Sequence, residues 1–183
     1  MEHKSMKVVD KNERKLALVI VDVQKKFLIG GDDQTPISAK KHYPVMSRAI
    51  DMFREAGRPV IWILFKGPTH QQGITDDPFD LLDGFEIKEG DHIVEKYHMN
   101  SFYNTTLADV IHENDCDSAL LMGMYAQHCV MATFWGAFDK DVSPYMLKDG
   151  LISNKEEMCD KVCDVCKFYT IEELEENLKA HKV

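Results

Sequence analysis

The run LALVIV at residues 16–21 constrains this chain more than any other stretch. A strand with one wet face alternates apolar and polar residues. This one is apolar throughout and rich in branched side chains, which fits a strand covered on both faces. Strands of that kind belong to parallel sheets with helices on either side. The rest of the chain follows suit. Residues 29–42 (IGGDDQTPISAKKH) carry turn chemistry and read as a loop. Apolar residues at 45, 46, 49, 50, 52, 53 and 56 then form a helical stripe, and Gly57 closes it. RPVIWILF reads as a second buried strand, HIVEK as a short third, SALLMG as a fourth and VSPYML as a weaker fifth, with Pro144 suited to a strand start or an edge. KFY is a short sixth. Helices are expected over 105–113 and 129–140, and two more are expected to open at capping boxes formed by Ser153 with Glu156 and Thr170 with Glu173. The pattern predicts an α/β fold: a doubly wound, Rossmann-like, mainly parallel sheet of about six strands with helices on both faces. Residues 1–14 are expected to be a loosely ordered lead, and residues 15–183 a single domain.

Composition excludes several functions. The net charge is −9, with 31 acidic residues against 22 Lys and Arg, so nucleic acid and anionic membranes are poor partners. No apolar run approaches the ~20 residues of a membrane span. The charged opening MEHKSMKVVDKNERK is not a secretory signal, and five cysteines are an odd number, so reduced thiols and a cytoplasmic location are expected. IGGDD after the first strand is neither a dinucleotide fingerprint nor a P-loop, and no cofactor is expected.

Ligands of such sheets bind beyond the carboxyl ends of the strands. Asp22 follows the first strand, Lys96 ends the third, and Cys129 lies past the fourth where a helix begins. Each has an ordinary reading: a turn-capping Asp, a solvated Lys, a small buried Cys. Together at one edge they supply a nucleophile, a proton acceptor and a positive charge. An ammonium and a helix N-terminus both favour thiolate, and backbone N–H groups at the turn can bind an oxyanion.

At these residues the chain resembles the isochorismatase-like cysteine hydrolases. LALVIVDVQKKF is similar to their opening strand with its Asp-x-Gln-x-x-Phe pattern. IVEKYHMNSFYNTTL resembles their lysine segment, with Ser101, Phe102, Thr105 and Leu107 in place. GMYAQHCVMATFWGA resembles their nucleophile segment, with Gly123, Cys129, Val130, Thr133 and Ala137 matching. The resemblance implies a doubly wound fold and a catalytic triad of Asp22, Lys96 and Cys129. It also implies a cis peptide at Met124–Tyr125, with the backbone N–H groups of Tyr125 and Cys129 as oxyanion donors. Its members cleave C–N bonds of amides, ureides or related compounds through a thioester. True isochorismatases, which cleave a vinyl ether, lack the cysteine. Ala126 departs from a frequent Thr, and KDVSPYMLKDG departs from the usual lead into the next strand.

The nicotinamidase branch holds a metal through Asp-x-His after the second strand. Here Phe65, Lys66 and Gly67 stand there, with His70 the one ligand type nearby, so no metal is expected. Phe27, Tyr97, Tyr125, His128 and Trp135 are expected around a small-molecule substrate, although Trp135 and Phe134 equally suit the core or a subunit contact. A homo-oligomer is expected. His98 and His128 lie nearest the proposed site; a papain-like Cys–His pair is one reading, and a surface or otherwise satisfied histidine is the preferred one. Cys159, Cys163 and Cys166 match a cluster-binding spacing, but lie in an expected helix as one apolar face. The alternative to an enzyme is a catalytically idle binding or scaffold protein of the same fold.

Overall fold

The computed structural model describes residues 10–28, 34–68 and 77–182. Among them are six strands and five α-helices. In chain order they are β1 (Leu16–Val21), α1 (Thr35–Glu55), β2 (Val60–Phe65), β3 (His92–Lys96), α2 (Leu107–Glu113), β4 (Ser118–Met124), α3 (Met131–Phe138), β5 (Ser143–Ile152), α4 (Glu157–Val165), β6 (Phe168–Tyr169) and α5 (Ile171–Ala180). The strands form one sheet in the order β3-β2-β1-β4-β5-β6, with every pairing parallel. The expected doubly wound α/β fold is what the chain adopts.

The uniform apolarity of β1 has a direct cause in this arrangement. Side chains alternate across a strand. Ala17, Val19 and Val21 enter a core shared with Leu107 and Ile111 of α2, Phe134 and Ala137 of α3, and Val162 of α4. Leu16, Leu18 and Ile20 enter the opposite core, with Met46, Ala49 and Phe53 of α1 and Leu174 and Leu178 of α5. No side chain of β1 can be polar without facing one core or the other. None of the described helices is long and apolar enough to cross a membrane.

Several elements depart from expectation. Helix α1 begins at Thr35, well inside the expected loop. Pro36 suits its first turn, but the buried face of its early turns carries Thr35, Ser38 and His42, so the apolar stripe starts only further on. Pro44 sits inside this helix. Gly57 ends it in the expected way, at φ 68°. The Ser153–Glu156 box does not form. Ser153 Oγ accepts from Lys155 N at 3.0 Å and donates to Gln127 Oε1 at 2.9 Å, and Glu156 is engaged by α1. The Thr170–Glu173 box is present in both directions. Strand β5 runs on to Ile152, across a register shift opposite Leu121 and Gly123. Residues 10–14, expected to be loose, are tied to the body. Asn177 Nδ2 donates to the Arg14 carbonyl at 3.0 Å, and Lys11 pairs with Glu173 at 2.6 Å. Cys159 and Cys163 are buried on the inner side of α4 and Cys166 at its end, as the apolar-face reading holds.

Candidate active site

Three segments meet at the carboxyl edge of the central strands. Asp22 leaves β1 in a left-handed conformation, φ 52°. Its N–H donates to Ile63 O at 3.1 Å, which fixes the chain just as it departs from the sheet. Lys96 is the last residue of β3, and its Nζ lies 2.8 Å from Asp22 Oδ2 and donates to Met99 O at 2.9 Å. Both side chains are buried, 1% and 0% exposed. Cys129 is partly buried, and its thiol faces the same carboxyl. The Lys96 ammonium approaches Asp22 off the hydrogen-bond line. Neither oxygen of that carboxylate has a hydrogen bond of good geometry among the described residues.

Cys129 does not open an α-helix. It lies within a wide, five-residue π turn, Ala126–Val130, that precedes α3, and such turns are frequent at functional sites. The Met124–Tyr125 peptide leading into it is cis. The Tyr125 carbonyl accepts from His128 N at 2.9 Å and Val130 N at 3.3 Å. Gly123, opposite Val21 in the sheet, has φ +117°, and a Cβ there would come within 2.2 Å of the Val21 carbonyl. Only glycine lets β4 turn away this close to β1.

Burial governs the electrostatics. It pushes the Cys129 thiol up to about 12, and the negative charge of Asp22 adds to this while Lys96 opposes it. Burial likewise raises Asp22, against the pull of Lys96. The ammonium favours thiolate as expected, but desolvation and the Asp22 charge together outweigh it. Burial therefore favours the neutral thiol, while the Asp22 carboxyl beside it is drawn one way by burial and the other by Lys96.

Other motif residues act as braces. Ser101 Oγ and Thr133 Oγ1 are 2.8 Å apart, and Ser101 N donates to Thr133 Oγ1 at 3.0 Å, which locks the lysine segment to α3. Gln24 is fully buried. Its amide Nε2 donates to Phe65 O at 3.2 Å and Pro78 O at 2.9 Å, while Oε1 accepts from Phe65 N at 2.9 Å. Lys26, which sequence reasoning passed over, is 2% exposed and donates to Gly67 O at 2.7 Å. Its position in Asp-x-Gln-x-x-Phe was legible, but nothing in the sequence showed it buried.

Of the expected wall residues, Phe27 and His128 both set their rings edge-on to Tyr125, at 6.4 and 6.2 Å. Tyr97 and Trp135 are exposed, and Trp135 stacks on Phe138 rather than joining that group. Phe134 is core. His98 packs on Tyr103, and neither it nor His128 bonds to Cys129 among the described residues. His70 lies outside the described residues. A cavity of about 650 Å³ between α1 and α5 contains none of the three convergent groups.

An open parallel sheet with a cysteine, a carboxylate and an ammonium converging at its carboxyl edge defines the class. The chain belongs to the isochorismatase family: the isochorismatase domain matches residues 16–172. It is 27% identical over 118 residues to the secreted isochorismatase effector Isc1 of Verticillium dahliae, an alignment covering 63% of this chain and 61% of that relative. It is 29% identical over 152 residues to YrdC of Bacillus subtilis, an uncharacterized isochorismatase family protein, covering 75% and 73%. N-carbamoylsarcosine amidase from Thermoplasma acidophilum shares the fold, with TM-score 0.72 and 24% identity over 86% of this chain and 97% of that one.

Proposed function

We propose that this chain is a cysteine hydrolase that cleaves a C–N bond of a small amide, ureide or carbamoyl compound through a thioester. The observation that carries this reading is the Asp22 carboxylate, buried between Lys96 and the Cys129 thiol with neither oxygen well hydrogen-bonded. A buried acceptor left open in this way calls for a role, and taking a proton is the role its neighbours define.

The steps balance as follows. As Sγ of Cys129 bonds to the substrate carbonyl carbon, its proton passes to Asp22 and the carbonyl π pair moves onto oxygen. The N–H groups of Tyr125 and Cys129 hold that oxyanion. Asp22 then gives the proton to the leaving nitrogen as the C–N bond breaks, leaving a thioester. Water gives a proton to Asp22 as it attacks. Collapse of the second oxyanion releases the acid and the thiolate, which recovers its proton from Asp22. Lys96 favours the ionised form of Asp22, opposing the burial that raises it, at the start of each half-reaction. Because the thiol is neutral at rest, proton transfer accompanies attack rather than preceding it.

No step calls for a metal. Two ammonium groups occupy the stretch after β2: Lys26 on the Gly67 carbonyl, and Lys66 paired with Glu95 at 3.0 Å. They disfavour a divalent cation there.

The test is a panel of amides, ureides and N-carbamoyl compounds assayed for ammonia or amine release, with intact-protein mass measured during turnover. An added acyl mass on Cys129 is expected. Turnover that persists in Cys129→Ala, or with no acyl adduct on a rapidly quenched sample, would refute the mechanism.

A further inference from the structure

Outside the triad, where the first half of α1 meets the start of α4, three ligand-type side chains converge. A ring nitrogen of His42, a Glu156 carboxylate oxygen and Cys159 Sγ all lie within 4.8 Å of one another. His42 and Cys159 are 3% and 6% exposed. The imidazole is oriented from behind, with Nδ1 2.9 Å from the Asp149 carbonyl. A carbonyl only accepts, so Nδ1 carries the hydrogen, and Nε2 is aimed at Glu156 Oε1, 2.8 Å away. A histidine whose rear nitrogen donates to a backbone carbonyl is the usual support of a metal ligand. On the other ligand, Glu156 Oε2 is buried with no hydrogen bond of good geometry among the described residues.

We propose that His42, Glu156 and Cys159 form a binding site for one zinc-like divalent transition metal. Imidazole, carboxylate and thiolate are the donors such ions take, at about 2.0–2.3 Å. Tetrahedral binding at those lengths sets neighbouring ligand atoms about 3.3–3.6 Å apart. The His42–Glu156 pair is 2.8 Å apart and no ligand pair is more than 4.8 Å apart, so small side-chain rotations reach that range. Turning Cys159 Sγ away from the Leu151 carbonyl, 3.4 Å off, closes the gap. The thiol proton leaves to solvent on binding. Lys41, which pairs with Glu156 from the solvent side, has a side chain 59% exposed and swings out, and water completes the fourth position. Bound there, the ion fastens α1 to the connection after β5. Ser153 in that connection donates its N–H to Ser38 Oγ at 3.1 Å and its hydroxyl to Gln127 in the nucleophile turn.

The site stands apart from the proposed chemistry, and its test is independent of it. The full chain carrying Cys129→Ala, purified free of metal, is titrated with cobalt(II). One equivalent is expected to bind with tetrahedral ligand-field absorption and a sulfur-to-cobalt charge-transfer band. Adding Cys159→Ser should remove that band, Cys163→Ser should retain it, and His42→Asn should weaken binding at least about tenfold, one ligand of three being lost. Absence of the charge-transfer band, or its survival in Cys159→Ser, would overturn the proposal and leave His42–Glu156 an ordinary ion pair.

Discussion

Asp22 and Asp91 are both buried acids facing a cation, and they are built in opposite ways. The Asp91 side chain is 3% exposed, and it takes two bonds from Arg54, at 3.1 and 2.5 Å, one from Trp62 Nε1 at 2.8 Å and one from Lys88 N at 3.0 Å. Burial works against its charge, yet these donors prevail and hold it below the usual carboxylate range. Asp22 has Lys96 at 2.8 Å but no well-aligned donor, and burial prevails there. The lesson is that proximity of an opposite charge does not decide a buried carboxyl; the number of aligned hydrogen bonds does. Asp91 fastens α1 and β2 to the lead into β3. Asp22 is left able to exchange a proton.

The sharpest way to break this contrast is at the nucleophile. Cys129→Ala should lower turnover at least about a thousandfold while the melting temperature stays within a few degrees, since only the attacking group is lost. A variant that retained activity would make Asp22 a structural acid like Asp91. Next in size is Asp91→Asn, expected to cost about 2–3 kcal/mol in urea unfolding because Arg54 loses its partner, with alkylation of Cys129 by iodoacetamide unchanged. A loss of Cys129 reactivity there would merge the two regions into one network. Smaller again, Lys96→Met removes the charge that opposes thiol neutrality. Alkylation of Cys129 at neutral pH should slow about tenfold, corresponding to one further pKa unit. An unchanged rate would mean that Lys96 does not act on the thiol.

The smallest effect is in pH. Asp91 has a folded pKa below its unfolded one. Its contribution is therefore present above about pH 4 and lost as pH falls through the folded value. Asp22 is raised, so its charge costs stability at neutral pH, and the cost is relieved as pH falls through its folded value. Melting temperatures from pH 7 to 3 should drop less steeply below about pH 4 in Asp91→Asn than in the parent. Identical acid limbs would show that Asp91 is not the depressed group.

What was legible in the sequence follows the same physics. Strands covered on both faces announce themselves, since neither side tolerates polarity, and the positions of Asp22, Lys96 and Cys129 follow from strand ends. The early turns of α1 were hidden because Ser38 and His42 face inward to polar partners, so no apolar stripe marks them. Ser153 shows the residue type of a cap but spends its hydroxyl on Gln127 and Lys155. How far burial raises the Cys129 thiol was not legible, because residue types reveal charges nearby but not how much water is excluded. Lys26 was missed for the same reason.

Gln24 has a wider consequence. Its side-chain amide bonds to both the N–H and the carbonyl of Phe65, and so stands in for a rung of backbone that β1 no longer supplies. The same amide holds Pro78, so one side chain grips the chain where it leaves β2 and where it comes back. All three contacts are to main-chain atoms, which every residue type carries. Phe65 and Pro78 are thereby held through their main chain alone, so the side chains at these two positions can change without loosening Gln24 or the strand end that carries Asp22.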